Sequence, residues 1–227
     1  MPAKLGPLSA TTAEVWLLTG FLGSGKTTLL QRWIDASPRG SIAVIVNELA
    51  DLGLDDVFLE RIDAQSVLLE SGCVCCTIRD DLVEALLGLA ARRAAGATPP
   101  FVRVVVETTG LADPKPVVHA LVSDRRLSAQ FHLAGVVTTV DAAHALEQLD
   151  HYAESVAQIA AADHLVITKS DACDAGMLDR LEARLATLNP LAERTIAIRS
   201  EGVVEMLRSG VRRTSHPVSM SPPAAEH

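Results

Sequence analysis

Aromatic residues are scarce in this chain, with four Phe, two Trp and one Tyr among 227 residues. This scarcity excludes a core built mainly of stacked rings. Since 48% of the residues are hydrophobic and 21% are charged, the core must instead be aliphatic, in a chain of ordinary globular composition. The length suits one large domain with a substantial buried interior.

Basic residues are also fewer than acidic ones. The chain has 20 Lys and Arg and 28 Asp and Glu, which gives a net charge of −8. This balance argues against a nucleic-acid or anionic-membrane partner. No apolar run approaches the roughly 20 residues of a membrane helix. We expect residues 1–13 to be a loose leader, and this segment lacks the features of a signal peptide. We therefore expect a cytoplasmic protein with no nucleic-acid and no membrane partner.

The chain has only four cysteines, and their arrangement does not favour a disulfide framework. Cys73, Cys75 and Cys76 crowd into four positions, whereas Cys173 lies far along the chain. Neighbouring cysteines rarely bridge each other, and reduced thiols are typical of the cytoplasm.

Short apolar runs alternate with helical patterns along the chain. The predicted strands are 15–19, 42–47, 67–70, 101–107, 134–140, 165–168 and 195–198. The predicted helices are 25–36, 78–95, 114–122, 142–148, 153–162, 174–188 and 201–209. Continuous Val/Ile/Leu strands between helices predict an α/β fold with a doubly wound, mostly parallel sheet in a three-layer α/β/α arrangement. We expect one domain over residues 14–211 and a disordered, Ser/Pro/His-rich tail over 212–227.

A glycine-rich loop follows the first predicted strand. The segment Gly20-Phe-Leu-Gly-Ser-Gly-Lys-Thr27 matches the P-loop pattern Gly-x-x-x-x-Gly-Lys-Ser/Thr, between a strand and a helix as that motif requires. Its amides and the helix N-terminus bind phosphate, so the fold is predicted to be a P-loop NTPase. Lys26 is expected to reach the β- and γ-phosphates, and the Thr27 hydroxyl to bind magnesium. The candidate nucleotide contacts are Gly20, Gly23, Ser24, Gly25, Lys26, Thr27 and Thr28.

Glu107 ends a buried strand, where a carboxylate faces the nucleotide in parallel sheets of this kind. It is a candidate Walker B acid and magnesium ligand, although Glu-x-x-Gly alone is often only a strand end. Gly110 would let the backbone approach the γ-phosphate. Glu48 and Glu107 are both candidates for orienting the attacking water, and the sequence does not choose between them.

The segment Thr168-Lys-Ser-Asp171 follows a late strand and predicts guanine recognition. The Asp171 carboxylate can accept two hydrogen bonds from guanine that adenine cannot donate, which is a strong form of discrimination. The aliphatic stem of Lys169 would cover the ring. Thr168 replaces the usual Asn, which predicts a weaker tether to the P-loop. Ser200 is either a further base contact or a turn residue.

The three crowded thiols follow a strand end and Gly72, which can adopt the positive φ of a tight ligand loop. Thiolates select zinc, copper(I), iron–sulfur clusters and other thiophilic ions such as cobalt. Three ligands leave a tetrahedral position open, which suits transfer of an ion better than a permanent structural site. Buried free cysteines and a redox pair are the alternatives. Glu48, Glu70 and a histidine are candidate fourth ligands, although the seven histidines show no ligand spacing.

Five motifs in this order carry a family resemblance. They are Thr19-Gly-Phe-Leu-Gly-Ser-Gly-Lys-Thr-Thr-Leu29, Asn47-Glu48, Glu70-Ser-Gly-Cys-Val-Cys-Cys76, Glu107-Thr-Thr-Gly-Leu-Ala-Asp-Pro114 and Gln158-Ile-Ala-x-Ala-Asp163. Together they resemble the CobW-type P-loop GTPases, relatives of the UreG and HypB nickel-insertion GTPases, over residues 14–210. In this chain Asn47-Glu-Leu-Ala50 replaces the Asn-Glu-Phe-Gly of that family. Many members continue into a C-terminal domain, whereas this sequence ends at residue 227, so we expect docking to a recipient to be reduced, different or supplied in trans.

The resemblance implies a metallochaperone or metal-insertion factor that hydrolyses GTP to GDP and phosphate. Cys73, Cys75 and Cys76 would bind zinc or a similar ion, with magnesium at the nucleotide, a recipient metalloprotein as partner and a nucleotide-dependent homodimer. We expect slow turnover, because no arginine finger or water-positioning glutamine can be assigned. The rival functions are a small-molecule phosphotransferase with structural zinc and a nucleotide-regulated metal-storage module.

Overall fold

The computed structural model describes residues 12–46, 67–70 and 78–197. Several predictions fall outside these residues. They concern residues 1–11 of the leader, the tail, the helix at 201–209, Glu48, Cys73, Cys75, Cys76 and Ser200. The last leader residue, Ala13, instead begins the first strand.

All seven predicted strands are present in the described part of the chain, and they form one sheet. They are β1 Ala13–Gly20, β2 Ile42–Val46, β3 Val67–Glu70, β4 Arg103–Glu107, β5 Phe131–Asp141, β6 His164–Thr168 and β7 Glu193–Ile196. Their order across the sheet is β3-β2-β4-β1-β5-β6-β7, and every pairing is parallel. The predicted doubly wound, parallel α/β sheet is confirmed.

Helices follow the strands within the described ranges. They are α1 Lys26–Asp35, α2 Ile78–Ala94, α3 Lys115–Ser123, α4 Arg125–Ser128, α5 Ala145–His151, α6 Ala153–Ala161 and α7 Ala175–Leu188, with a 3-10 turn at Ser170–Ala172. The sequence did not predict α4 or the 3-10 turn, because three or four residues are too short to show a helical period. None of the helices seen in the structure is long and apolar enough to cross a membrane.

The alternation of side chains along the strands separates two layers of core. On β1, Val15 and Leu17 point to one face and pack with α2 and α3, whereas Trp16 and Leu18 point to the other face and pack with α1. The helices α5, α6 and α7 bury a third cluster against β5 and β6. Successive side chains of a strand point to opposite faces of the sheet. Because helices cover both faces here, the positions on both faces of these strands must be largely apolar, which explains the continuous apolar runs.

The strand order reverses at β1, with β4 on one side and β5 on the other. In parallel sheets, ligands bind outside the carboxyl ends of the strands at this reversal. The P-loop leaves the end of β1, Glu107 ends β4 and Asp141 ends β5. The fold therefore brings these segments to one edge.

Candidate functional site

The P-loop is shaped by its glycines. Gly20, Gly23 and Gly25 have φ values of 141°, 71° and 93°, in the region that favours glycine. Space also matters at Gly20, where a Cβ would lie 2.5 Å from the Thr139 carbonyl oxygen. Space therefore requires glycine at position 20, and the positive φ values favour it at positions 23 and 25.

The Lys26 side chain folds back over the loop. Its Nζ donates hydrogen bonds to the carbonyl oxygens of Gly20 at 3.0 Å and Phe21 at 3.3 Å. The residue is buried, which places a positive charge on the concave side of the loop. Phosphate oxygens can replace these carbonyl acceptors, as a phosphate-binding lysine requires.

Thr27 and Glu107 meet across the P-loop. The Thr27 hydroxyl donates to Glu107 Oε1 at 3.0 Å, and Glu107 is 1% exposed. The end of β4 is held beside β1 by Thr108, whose amide donates to Leu18 O at 3.0 Å. A hydroxyl and a carboxylate at one point are ligands of the type that magnesium prefers, so these two residues fit the predicted magnesium site.

Thr168 joins the predicted base loop to the P-loop. Its hydroxyl lies 2.8 Å from Ser24 O and 3.2 Å from Val140 O, and the shorter distance favours Ser24 as the acceptor. The Ser24 side chain lies in turn 2.6 Å from Thr139 Oγ1. The tether is therefore present with Thr in place of Asn, while its lower strength stays a prediction.

Lys169 has a left-handed backbone, with φ 53° and ψ 29°, and its Nζ donates to Asp141 Oδ2 at 2.8 Å. Asp141 is buried at the end of β5 and also accepts from Ala143 N at 3.0 Å and contacts His144 Nδ1 at 3.1 Å. Burial alone would raise the pKa of Asp141, but the hydrogen bonds from Lys169, His144 and Ala143 outweigh it and hold that pKa below its ordinary value. Asp141 is thus an anionic anchor for the base loop.

A cavity of about 560 Å³ lies between α1 and the base loop. Its walls include Thr28 from α1, the apolar side chains of Val166 and Leu178, and the polar residues Lys169 and Asp171. A cavity with apolar side chains and a carboxylate in its wall is suited to a planar, hydrogen-bonding base. Gly25 of the P-loop also lines it, so one nucleotide can occupy both places.

Residues 14–195 match the family described as CobW/HypB/UreG, nucleotide-binding domain. The chain belongs to this family. The resemblance predicted from the five motifs is therefore confirmed.

Similar proteins include two curated zinc chaperones. Zinc chaperone YjiA of Escherichia coli is 39% identical over 178 residues, covering 78% of this chain and 55% of the relative. Zinc chaperone CobW of Pseudomonas aeruginosa is 33% identical over 213 residues, covering 80% of this chain and 55% of the relative. The chain thus spans about half the length of the curated relatives it matches.

Among solved structures, the Zn(II)-bound YjiA GTPase from E. coli superposes with a TM-score of 0.64 at 32% identity. The match covers 83% of this chain and 58% of that chain. It supports the P-loop GTPase fold for this member of the CobW/HypB/UreG family.

The structure brings together most of the residues that the sequence predicted for nucleotide binding. Gly110 also reaches the P-loop, since a Cβ at this position would lie 2.7 Å from Leu22 N. The thiols of the Cys-x-Cys-Cys motif and Glu48 lie outside the described residues. Within the ranges that are described, no group of three or more His, Cys, Asp or Glu residues forms a metal site.

Sequence reasoning missed Asp141. The available signal was a carboxylate directly after the apolar run of β5, the same signal that identified Glu107 after β4. What the sequence did not provide was the pairing of β5 with β6, where Asp141 is in register with Thr168.

Proposed function

We propose that this member of the CobW/HypB/UreG family binds GTP, hydrolyses it slowly to GDP and phosphate, and acts as a cytoplasmic metallochaperone or metal-insertion factor. Its cargo is zinc or a similar divalent ion such as cobalt, bound through Cys73, Cys75 and Cys76. The observation that carries the nucleotide part is the shared cavity of P-loop and base loop, with the Asp171 carboxylate at its wall. The names of the relatives, zinc chaperones YjiA and CobW, support the metal part.

The phosphates would lie in the P-loop, against the amides that follow Gly20 and the Lys26 ammonium. Asp171 accepts hydrogen bonds from guanine N1–H and the exocyclic amine, while the stem of Lys169 covers the ring. Thr27 and Glu107 would hold magnesium, which neutralises charge between the β- and γ-phosphates when bound. Glu107 or Glu48 orients the attacking water. A recipient metalloprotein and a nucleotide-dependent homodimer are the proposed partners.

Base preference tests this proposal. Xanthine has a carbonyl group where guanine has its exocyclic amine, so Asp171→Asn supplies an amide donor to that oxygen. We expect this variant to shift the ratio of kcat/KM for GTP over XTP toward XTP by at least about tenfold, or ~1.4 kcal/mol. Hydrolysis of both nucleotides, measured as phosphate release, should be lost in Lys26→Ala. An unchanged base preference, with turnover stimulated by an acceptor metabolite, would instead favour a phosphotransferase.

A further inference from the structure

The Gln158 side chain ends in a buried amide that donates two hydrogen bonds to one turn. The residue lies on α6 and is 1% exposed. Its Nε2 donates to the carbonyl oxygens of Gly110 and Ala112, each at 3.1 Å. The turn between these carbonyls is closed by Ala112 N, which donates to Thr109 O at 3.2 Å. One side chain therefore fixes the orientation of the turn at 109–112.

The same turn packs against the P-loop. A Cβ on Gly110 would lie 2.7 Å from the Leu22 amide nitrogen and 2.8 Å from the Leu22 Cα. The turn begins two residues after Glu107, which contacts Thr27. If a nucleotide binds in the P-loop as proposed, its terminal phosphate would lie beside the backbone amides of this turn. GDP lacks that phosphate, so its binding depends on the turn much less.

Gln158 is itself fixed to the sheet. The backbone carbonyl oxygen of Gln158 accepts a hydrogen bond from Thr138 Oγ1 of β5 at 2.9 Å. The end of α6 is held by Asn189, whose Nδ2 donates to Ile159 O at 2.9 Å and Ala162 O at 2.8 Å. The amide of Gln158 thus extends from a rigid support toward the turn.

We propose that Gln158 is a positioning residue for the γ-phosphate-sensing turn and sets the preference of the protein for GTP over GDP. This inference rests on the proposed GTP binding. Without the two hydrogen bonds, the Gly110 and Ala112 carbonyls lose a donor and the turn is no longer held in one orientation. GTP must then order the turn on binding, which lowers its affinity. GDP does not carry that cost.

The test compares Gln158→Met with Asn189→Leu. Methionine keeps the length and approximate volume of glutamine but cannot donate a hydrogen bond. Asn189→Leu removes an amide that also binds α6 but does not contact the turn, so it serves as the matched control. Dissociation constants for magnesium with a non-hydrolysable GTP analogue, and for magnesium with GDP, are measured by calorimetry, and Tm is measured for every variant.

We expect Gln158→Met to bind the GTP analogue about tenfold more weakly, the equivalent of one to two net hydrogen bonds. GDP affinity should stay within about twofold of the wild type. Asn189→Leu should lower Tm and leave the ratio of the two affinities unchanged. An unchanged ratio in Gln158→Met, or an equal loss for both nucleotides, would overturn the inference.

Gln158→Glu answers the same question if Gln158→Met does not fold. Its carboxylate has the shape of the amide, donates no hydrogen bond when ionised and donates one when protonated. Relative to the wild type at the same pH, the preference for GTP should therefore be low at pH 8 and recover in part as the pH falls toward 5, because the acid donates one hydrogen bond where the amide donates two. A relative preference that does not move would count against the inference. A wild-type protein that binds neither nucleotide would refute the proposed function instead.

Discussion

Asp141 has a side chain that is only 3% exposed and accepts from three donors, of which Lys169 belongs to the base loop. Lys169 needs this partner, because its left-handed backbone is unfavourable for a residue with a Cβ. The Lys169–Asp141 pair therefore holds the loop that carries Asp171, the proposed base-binding residue two positions further along the chain.

We predict that Asp141→Asn weakens GTP and GDP binding about equally, by roughly five- to tenfold, since the base loop is common to both nucleotides. Asparagine is neutral and has a single acceptor oxygen, so its amide nitrogen must face either the Lys169 ammonium or the Ala143 amide. The measurement is calorimetric titration with each nucleotide. His144→Ala is the control, because it removes a partner of the same carboxylate whose side chain is 62% exposed, and it should change affinity by less than about twofold. Wild-type affinities in Asp141→Asn would show that the base loop holds its shape without this pair.

The residues that the sequence predicted share a property, namely that each belongs to a contiguous motif. Lys26 and Thr27 are recognisable within the P-loop, and Lys169 and Asp171 within a four-residue motif. Gln158 also opens one of the five motifs, but the motif does not reveal its proposed role. That role, like the role of Asp141, depends on partners in other elements, on strand order and on the packing of α6. A single sequence fixes neither, because register and helix packing are tertiary properties.

Element boundaries show a similar division between local and tertiary causes. All seven strands could be predicted, because a sheet covered on both faces requires continuous apolar runs. The helix expected at 142–148 instead spans Ala145–His151, because Asp141 accepts from Ala143 N and holds the first residues in a turn. The strand expected from residue 101 begins at Arg103, where pairing with β1 and β2 starts.

The burial of His164 at the start of β6 predicts that the stability of the protein depends on pH. The residue is 1% exposed, both ring nitrogens lack a hydrogen-bond partner, and the Nδ1 atom lies 3.5 Å from Glu193 Oε2 on β7. Burial lowers the pKa of His164 below 6.5, and the charges of Glu193 and Asp163 oppose this shift only in part. The folded protein therefore keeps the ring neutral at a pH where the unfolded chain takes up a proton.

The direction in which stability changes with pH follows from this difference in proton binding. The stabilisation is fully present above the unfolded pKa near 6.5 and is lost as the pH falls below it toward the folded pKa. We expect the free energy of unfolding, measured with urea at pH 7.5, 6.5 and 5.5, to fall by up to about 1.4 kcal/mol per pH unit below 6.5 on account of this residue. His164→Leu should remove that part of the slope, whereas His151→Gln, a change at an exposed histidine, should leave it intact. Parallel pH profiles for wild type and His164→Leu would contradict the argument.

At the scale of the whole molecule, strand order determines how the two proposed functions are related. β3 ends at Glu70, three residues before Cys73, and it is parallel to every other strand. Its carboxyl end therefore lies on the same edge of the sheet as the P-loop. Only β2 and β4 separate β3 from β1, a distance of about 14 Å at the usual strand spacing. The thiol motif follows β3 in the sequence at the same edge as the P-loop, so the proposed metal and nucleotide sites could be coupled through the ends of neighbouring strands.

If nucleotide and metal share this edge, their binding must be coupled by the same factor in both directions. We predict that magnesium with a non-hydrolysable GTP analogue changes the affinity of the reduced protein for cobalt or zinc by about 5- to 100-fold, a range typical of coupled sites. Cobalt titrations followed through thiolate charge-transfer bands measure one direction, and analogue titrations with and without zinc measure the other. Cys75→Ser should weaken the metal bands and abolish the coupling while GDP affinity is retained. Equal metal affinity with and without nucleotide would separate the two sites and leave the thiols as storage or structural ligands, because an ion whose binding ignores the nucleotide cannot be released by its hydrolysis.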